Sequence, residues 1–268
     1  MNVSAAYIRE FTSQLDALDE RSRKLIQRSL DRLNIEKRLL DGDADAYEDL
    51  ANVMREVTHA SAQLSSAMTA KYYNGIREAS NAKGKYTAEK YDLLDLAEVA
   101  AATYAVSKEY ATNRATAALL DNLSGVNSRF THYASNETVR RNAVKDPGKP
   151  RYVIVPSPTA CVFCCMRAGA GYQFPSEASV HSHNNCKCQA VQVYGNSKVQ
   201  GFDPKAYEDE FFKAREAYRS GNISDDLQKK IERAKGRHNI RYELGEIENK
   251  WTETNAVLMV WREQRGRQ

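Results

Sequence analysis

Proline is missing from the first 146 of the 268 residues, and glycine is scarce there, at Gly42, Gly75, Gly84 and Gly125 only. Proline breaks helix interiors and glycine loosens them, so the absence of both points to helices joined by short turns. Cysteine is absent from 240 of the residues, which excludes a disulfide scaffold spread through the fold. No stretch approaches the roughly 20 apolar residues that span a bilayer. The start, Met1 to Tyr7, lacks the basic-then-apolar pattern of an export signal. Membrane residence and signal-directed export are therefore set aside. A large excess of either charge is missing too: the net charge of +4 permits a nucleic-acid contact without demanding one. With 42% hydrophobic and 28% charged residues, disorder from end to end is excluded, and the length allows one large domain or two modest ones.

Ile8, Phe11, Leu15 and Leu18, then Leu25 or Ile26, Leu30 and Leu33, step by three and four and predict one apolar helical stripe. The run Asp41 to Asp45 reads as a turn, with Asp45 and Glu48 resembling a capping box for a helix over about 46–80. Asn81 to Lys85 breaks the pattern. A third helix is expected over about 87–122, where small residues among Tyr91, Leu94, Ala97, Ala101, Tyr104 and Val106 suit a central place in a bundle. Tyr72, Tyr73, Tyr86, Tyr91, Tyr104 and Tyr110 could stack on bases, but helical spacing suits core or interface positions.

The expected organisation is a helical scaffold over 1–139, a basic Pro/Gly linker over 140–151, a zinc-binding module with short strands over 152–200, and C-terminal helices over 201–268. The fold class is thus mostly α with a small α+β zinc-binding domain. Tyr152–Val155 and Gln189–Tyr194 read as strands that pair across the segment between them. Further helices are expected over about 203–219, 224–236 and 239–262.

All five cysteines fall within 28 residues, as Cys161-x2-Cys164-Cys165 and Cys186-x-Cys188, with His183 ahead of the second pair. Zinc takes four tetrahedral ligands from thiolate and imidazole, and a C-x-x-C turn offers two. Cys161 and Cys164 are the firmest ligands, and two or three of His183, Cys186 and Cys188 complete the set. Cys165 should point elsewhere, and His181 is a weaker candidate. The alternative is a group of reduced structural cysteines; no βαβ pattern supports a redox dithiol. A deaminase would need a His-x-Glu ahead of its cysteines. A nuclease of the His-Asn-His type needs a helix after the histidines, where this chain has Cys-x-Cys and a strand. A closed, structural site fits better, with no catalytic residues assigned.

The stretch Pro158 to Tyr172, followed by Ser176 to Ser179 and by His183-Asn184-Asn185-Cys186-Lys187-Cys188, resembles the C-terminal signature of phage Mu F-like head morphogenesis proteins. It is most similar to the form in minor capsid proteins of actinobacterial tailed phages, and the resemblance covers about 40 residues, 156–195. The resemblance implies a minor head protein that associates with portal or major capsid protein during assembly. A scaffold protein and a weak DNA contact are further partners to test, with no membrane partner. Its place would be the virion head, and the host cytoplasm during assembly. The competing expectations are a zinc-dependent nuclease or peptidase, and a nucleic-acid-binding protein packaged with the genome.

Overall fold

A computed structural model describes residues 2–113, 118–157, 160–174, 187–243 and 250–266, the side chains of 240–243 excepted. The protein is 70% helix with a single two-stranded sheet among the described residues. None of the helices is long and apolar enough to cross a membrane, among the described residues. The chain forms two compact units: Met1–Ser157 with Tyr172–Phe202, and Pro158–Gly171 with Asp203–Gln268.

The first unit is built on three long helices, α1 (Ala5–Arg32), α3 (Asp45–Ala79) and α5 (Leu119–Lys145), with the short α2 (Ile35–Leu40) and α4 (Leu96–Asn113) between them. The predicted stripe of α1 is buried at Ile8, Phe11, Leu15, Leu18, Ile26 and Leu30. Ser22 bonds Ser61 across α1 and α3, and Phe11 stacks on Tyr72 at 4.2 Å, so the two helices run antiparallel. In contrast, α5 runs parallel to α3: Ser65 bonds Thr131, Ser66 bonds Thr138, and Tyr73 bonds Asp146. That pairing is open to them because residues 83–95 and α4 carry the chain back along the bundle.

Five expectations are corrected here. The helix expected over 87–122 starts only at Leu96, where Asp95 Oδ1 accepts the N–H of Ala97 at 2.8 Å. The residues before it form a strap whose backbone is held by side chains: Asn142, Asn74 and Ser66 accept the N–H groups of Glu89, Ala88 and Tyr91. Helix α4 buries only the stripe Val99, Thr103, Ser107 and Tyr110, so it is peripheral, and α5 is the central helix. The capping box is absent: Ala44 occupies the cap of α3, and Asp43 Oδ1 takes the N–H of Asp45 at 2.9 Å.

The third correction concerns the linker. Residues 140–145 are the last turns of α5, where Arg140, Asn142 and Ala143 are buried. Proline at 147 ends the helix, as its ring must, but the basic residues before it belong to the bundle. Asp146 follows with its side chain fully buried; its Oδ2 accepts from Tyr194 at 2.7 Å and from Tyr73 and Arg77 at 3.1 Å, and its Oδ1 caps Gly148 N–H at 2.7 Å.

The fourth concerns the segment 152–200, whose described residues are shared between the two units. Strands β1 (Arg151–Val155) and β2 (Gln189–Val193) pair antiparallel, with Val153 opposite Val191. A two-stranded ribbon is marginal alone. Every residue of β2 is buried, and the ribbon completes the first unit against α5 and α3. Asn136 of α5 fixes it there, donating to Cys188 C=O at 3.1 Å and accepting Ala190 N–H at 2.7 Å. Between the strands, α6 (Val162–Gly169) joins the other unit with α7 (Pro204–Arg219), α8 (Asp225–Glu243) and α9 (Glu253–Gly266). The helix expected over 239–262 is thus two elements, α8 reaching Glu243 and α9 beginning at Glu253.

Candidate metal centre

The C-x-x-C is part of a helix. Cys161 caps the N-terminus of α6 with extended backbone, its C=O accepting Cys165 N–H at 3.0 Å, and Cys164 lies in the first turn. Residues three apart on a helix are neighbours on its surface, so this turn presents both sulfurs to one side. Cys161 is half-buried and Cys164 buried. The neighbouring stripe, Val162, Cys165 and Ala168, is buried as well. Val162 and Cys165 join the core of Ala214, Leu227, Ile231, Ala256, Val257, Val260 and Trp261. Gly169 lets α6 approach α7 closely: a Cβ there would meet the Glu208 backbone nitrogen at 3.0 Å.

Cys165, left out of the ligand set, has its sulfur facing Arg265, whose Nη1 donates to it at 3.1 Å and also to Glu210 at 3.1 Å. Burial pushes its thiol pKa up, against the pull of the Arg265 charge. The Glu210 carboxylate takes the Trp261 indole N–H at 3.0 Å as well.

Cys188 is placed in the first unit, buried just ahead of β2. Its carbonyl is clamped by Asn136, and Lys187 beside it pairs with Asp16 at 2.6 Å. His181, His183 and Cys186 lie outside the described residues. The structure therefore brings Cys161 and Cys164 together on one turn and pins the approach to Cys188 separately. Among the described residues, no group of three or more His, Cys, Asp or Glu side chains is arranged to hold a metal ion.

A further cluster escaped the sequence reading. His132 of α5 is fully buried; its Nδ1 accepts from Gln189 Nε2 at 3.4 Å, leaving Nε2 to donate to Asp19 Oδ2 at 3.3 Å. Ser128 donates to the same oxygen at 2.7 Å. In a Ser-His-Asp triad the serine hydroxyl is bonded to the imidazole that takes its proton. Here the hydroxyl is bonded to the carboxylate instead, and these three groups with Gln189 tie α1, α5 and β2 together. Their spacing, 19, 128 and 132 with Gln189, leaves no local motif to find.

No curated protein and no solved structure matches the chain. The family described as VG15 protein matches residues 2–214, which takes in the whole first unit and the entire cysteine segment. The match thus spans the long helical unit, the strand ribbon docked on it and the paired cysteines, and the chain belongs to the VG15 protein family, a family of phage proteins.

Proposed function

We propose that the chain is a minor capsid or head-morphogenesis protein of a tailed phage, with a structural role in head assembly near the portal or the major capsid protein. In this reading it carries out no catalysis. The observation that carries it is the extent of the family match, 2–214, which unites the helical scaffold with the cysteine segment that resembles the head-protein signature. The portal, the major capsid protein and a scaffold protein are its partners in this reading, and the virion head, reached from the host cytoplasm, is its location.

One structural zinc ion belongs to the same proposal. Cys161 and Cys164 suit it, being two thiols on one side of the same helical turn, and two or three of His183, Cys186 and Cys188 would complete four ligands. When bound, such an ion contributes folding free energy outright. The chain's own part is to hold the thiols: the packing of Val162, Cys165 and Ala168 sets the angle of α6, and the Asn136 clamp sets the path into β2.

The test is quantitative mass spectrometry of procapsids and mature particles. A copy number matching a portal ring supports the proposal; absence from both particles overturns it and leaves the zinc-dependent nuclease or peptidase to be assayed. Metal analysis of the purified chain tests the ion separately. One zinc per chain, lost with folding cooperativity in Cys161→Ser, is the expected result, and a metal-free, fully folded chain overturns it.

A further inference from the structure

The strap between α3 and α4 carries Lys83, Lys85 and Lys90, all exposed. It runs antiparallel to the end of α5. Tyr91 lies under Arg141 and Lys145, whose charges sit 5.6 and 5.0 Å from its ring centre. Asn142 bonds both Tyr86 and Glu89, and Gly84 packs so closely on Pro147 that a Cβ would come within 2.8 Å of the proline ring. Its left-handed φ of +76 is a second reason for glycine there. This docking gathers Lys83, Lys85, Lys90, Arg141, Lys145 and Lys149 on one face of the first unit, all exposed.

The carboxylates within the face are already engaged. Glu89 pairs with Lys145 at 2.8 Å, and Asp146 is buried among Tyr73, Arg77 and Tyr194. Lys83, Lys85, Lys90 and Lys149 form no salt bridge among the described residues. The small net charge of the chain therefore conceals a local concentration of one sign.

We infer that this lysine strap, laid against the end of α5, is a track for the phosphodiester backbone of a nucleic acid. The seven steps from Lys83 to Lys90 reach at most about 25 Å, a length over which a duplex presents roughly 14 phosphate charges. A linear row of cations on a rigid support matches that linear charge. The strap is held by three side chains, Asn74, Asn142 and Ser66, that take the place of a backbone ladder, and by the Tyr86 hydroxyl on Asn142, so little ordering is left for binding to impose. A membrane surface fits less well, because interfacial binding needs apolar side chains to insert. Val144 and the edge of Tyr91 are the apolar groups lining the hollow between Arg141 and Lys145. The inference rests on neither the zinc site nor the place in the head.

Fluorescence anisotropy with a labelled random-sequence DNA duplex, across a salt series, tests it on the full chain. The triple variant Lys83→Glu, Lys85→Glu, Lys90→Glu should weaken binding about tenfold or more and lower the salt slope by about three. A control with the same charge change on exposed α1 positions, Arg21→Glu, Lys24→Glu, Arg28→Glu, should change both little. Circular dichroism establishes that both variants keep the parent helicity. Equal losses in the two triples would show diffuse attraction and overturn the track. So would no duplex binding by the parent at low salt, or binding to phosphatidylserine vesicles or polyglutamate without binding to the duplex.

Discussion

The two ends of the α3–α5 interface are built on opposite principles. At one end Leu50 and Met54 meet Leu119, Leu123, Val126 and Phe130, with Ile26 and Leu30 of α1 closing an apolar cluster. At the other, hydroxyls and amides replace the leucines. Ser65, Ser66 and Thr69 of α3 face Thr131, Ser135 and Thr138 of α5, all buried, and the helices end on the Tyr73–Asp146–Tyr194 group. Small polar side chains let two helices approach closely, but each buried hydroxyl must find a partner. Here most of them do, by bonding across the interface or back to the carbonyl four residues earlier, as Thr69, Thr131 and Thr138 do. The apolar end derives its stability from area removed from water and tolerates repacking. The polar end depends on a matched network and has less tolerance for the loss of one member.

The largest effect that would sharpen this contrast is expected at Asp146. Asp146→Ala strands Tyr73, Tyr194, the Gly148 N–H and one side of Arg77. It should cost about 3–5 kcal/mol, since breaking a buried ion pair leaves uncompensated polar groups. Urea unfolding measures it, and a loss below about 1 kcal/mol would mean that the network contributes little. Next comes Leu123→Ala in the apolar end, fully buried, expected to cost about 2–5 kcal/mol with the spread set by how far the cavity collapses.

A smaller effect separates the two principles directly. Thr69→Val and Ser135→Ala should each cost about 1 kcal/mol, and the double variant clearly less than their sum, because removing both partners strands neither. Simple additivity would break the comparison by making these hydroxyls independent of each other. The smallest effect is in pH. Burial holds the phenols of Tyr72, Tyr73 and Tyr194 protonated well above the ordinary tyrosine range. The folded chain therefore binds more protons than the unfolded one at alkaline pH. Their contribution is fully present below the unfolded value of about 10 and is lost as pH rises beyond it. After the exposed phenols have titrated, the last part of the tyrosinate absorbance should rise only together with loss of helicity; ionisation of these three rings in a chain that keeps its helicity would contradict their burial.

The same contrast explains what was legible beforehand. The stripe Ile8, Phe11, Leu15, Leu18, Ile26 and Leu30 was readable because apolar residues at helical spacing report burial directly. Helix α3 was legible to within a residue at either end, and the two strands were found because β-branched runs flank a break. The polar half of α5 was not legible. Asn127, Thr131, His132, Asn136 and Glu137 fall in a stretch of the scaffold to which periodicity assigned no helix, and Asn142 in the expected linker, yet all are buried. Nothing local marks a serine or asparagine as buried when its partner lies 50 to 110 residues away. Asn136 with Cys188 and Ser128 with Asp19 are such pairs.

The candidate site divides along the same line. The pairing of Cys161 with Cys164 was evident from spacing alone, because three residues bring two side chains to one side of a turn. That α6 leaves the ribbon and packs with α7 and α9 was decided by the apolar stripe Val162, Cys165 and Ala168 and by the close approach at Gly169. The basic residues at 140–151 were likewise visible as charge, but their surroundings were not.

The sequence by itself determined the helical class, the apolar stripes, the strand pair and the clustering of thiols, since each follows from periodicity or spacing over a few neighbouring residues. Tertiary structure alone decided that α5 is the central helix, that the strap lies against its end, and that the strand ribbon completes the helical unit. Those outcomes rest on hydrogen bonds between distant polar side chains, which become favourable only once the fold has removed water from around them.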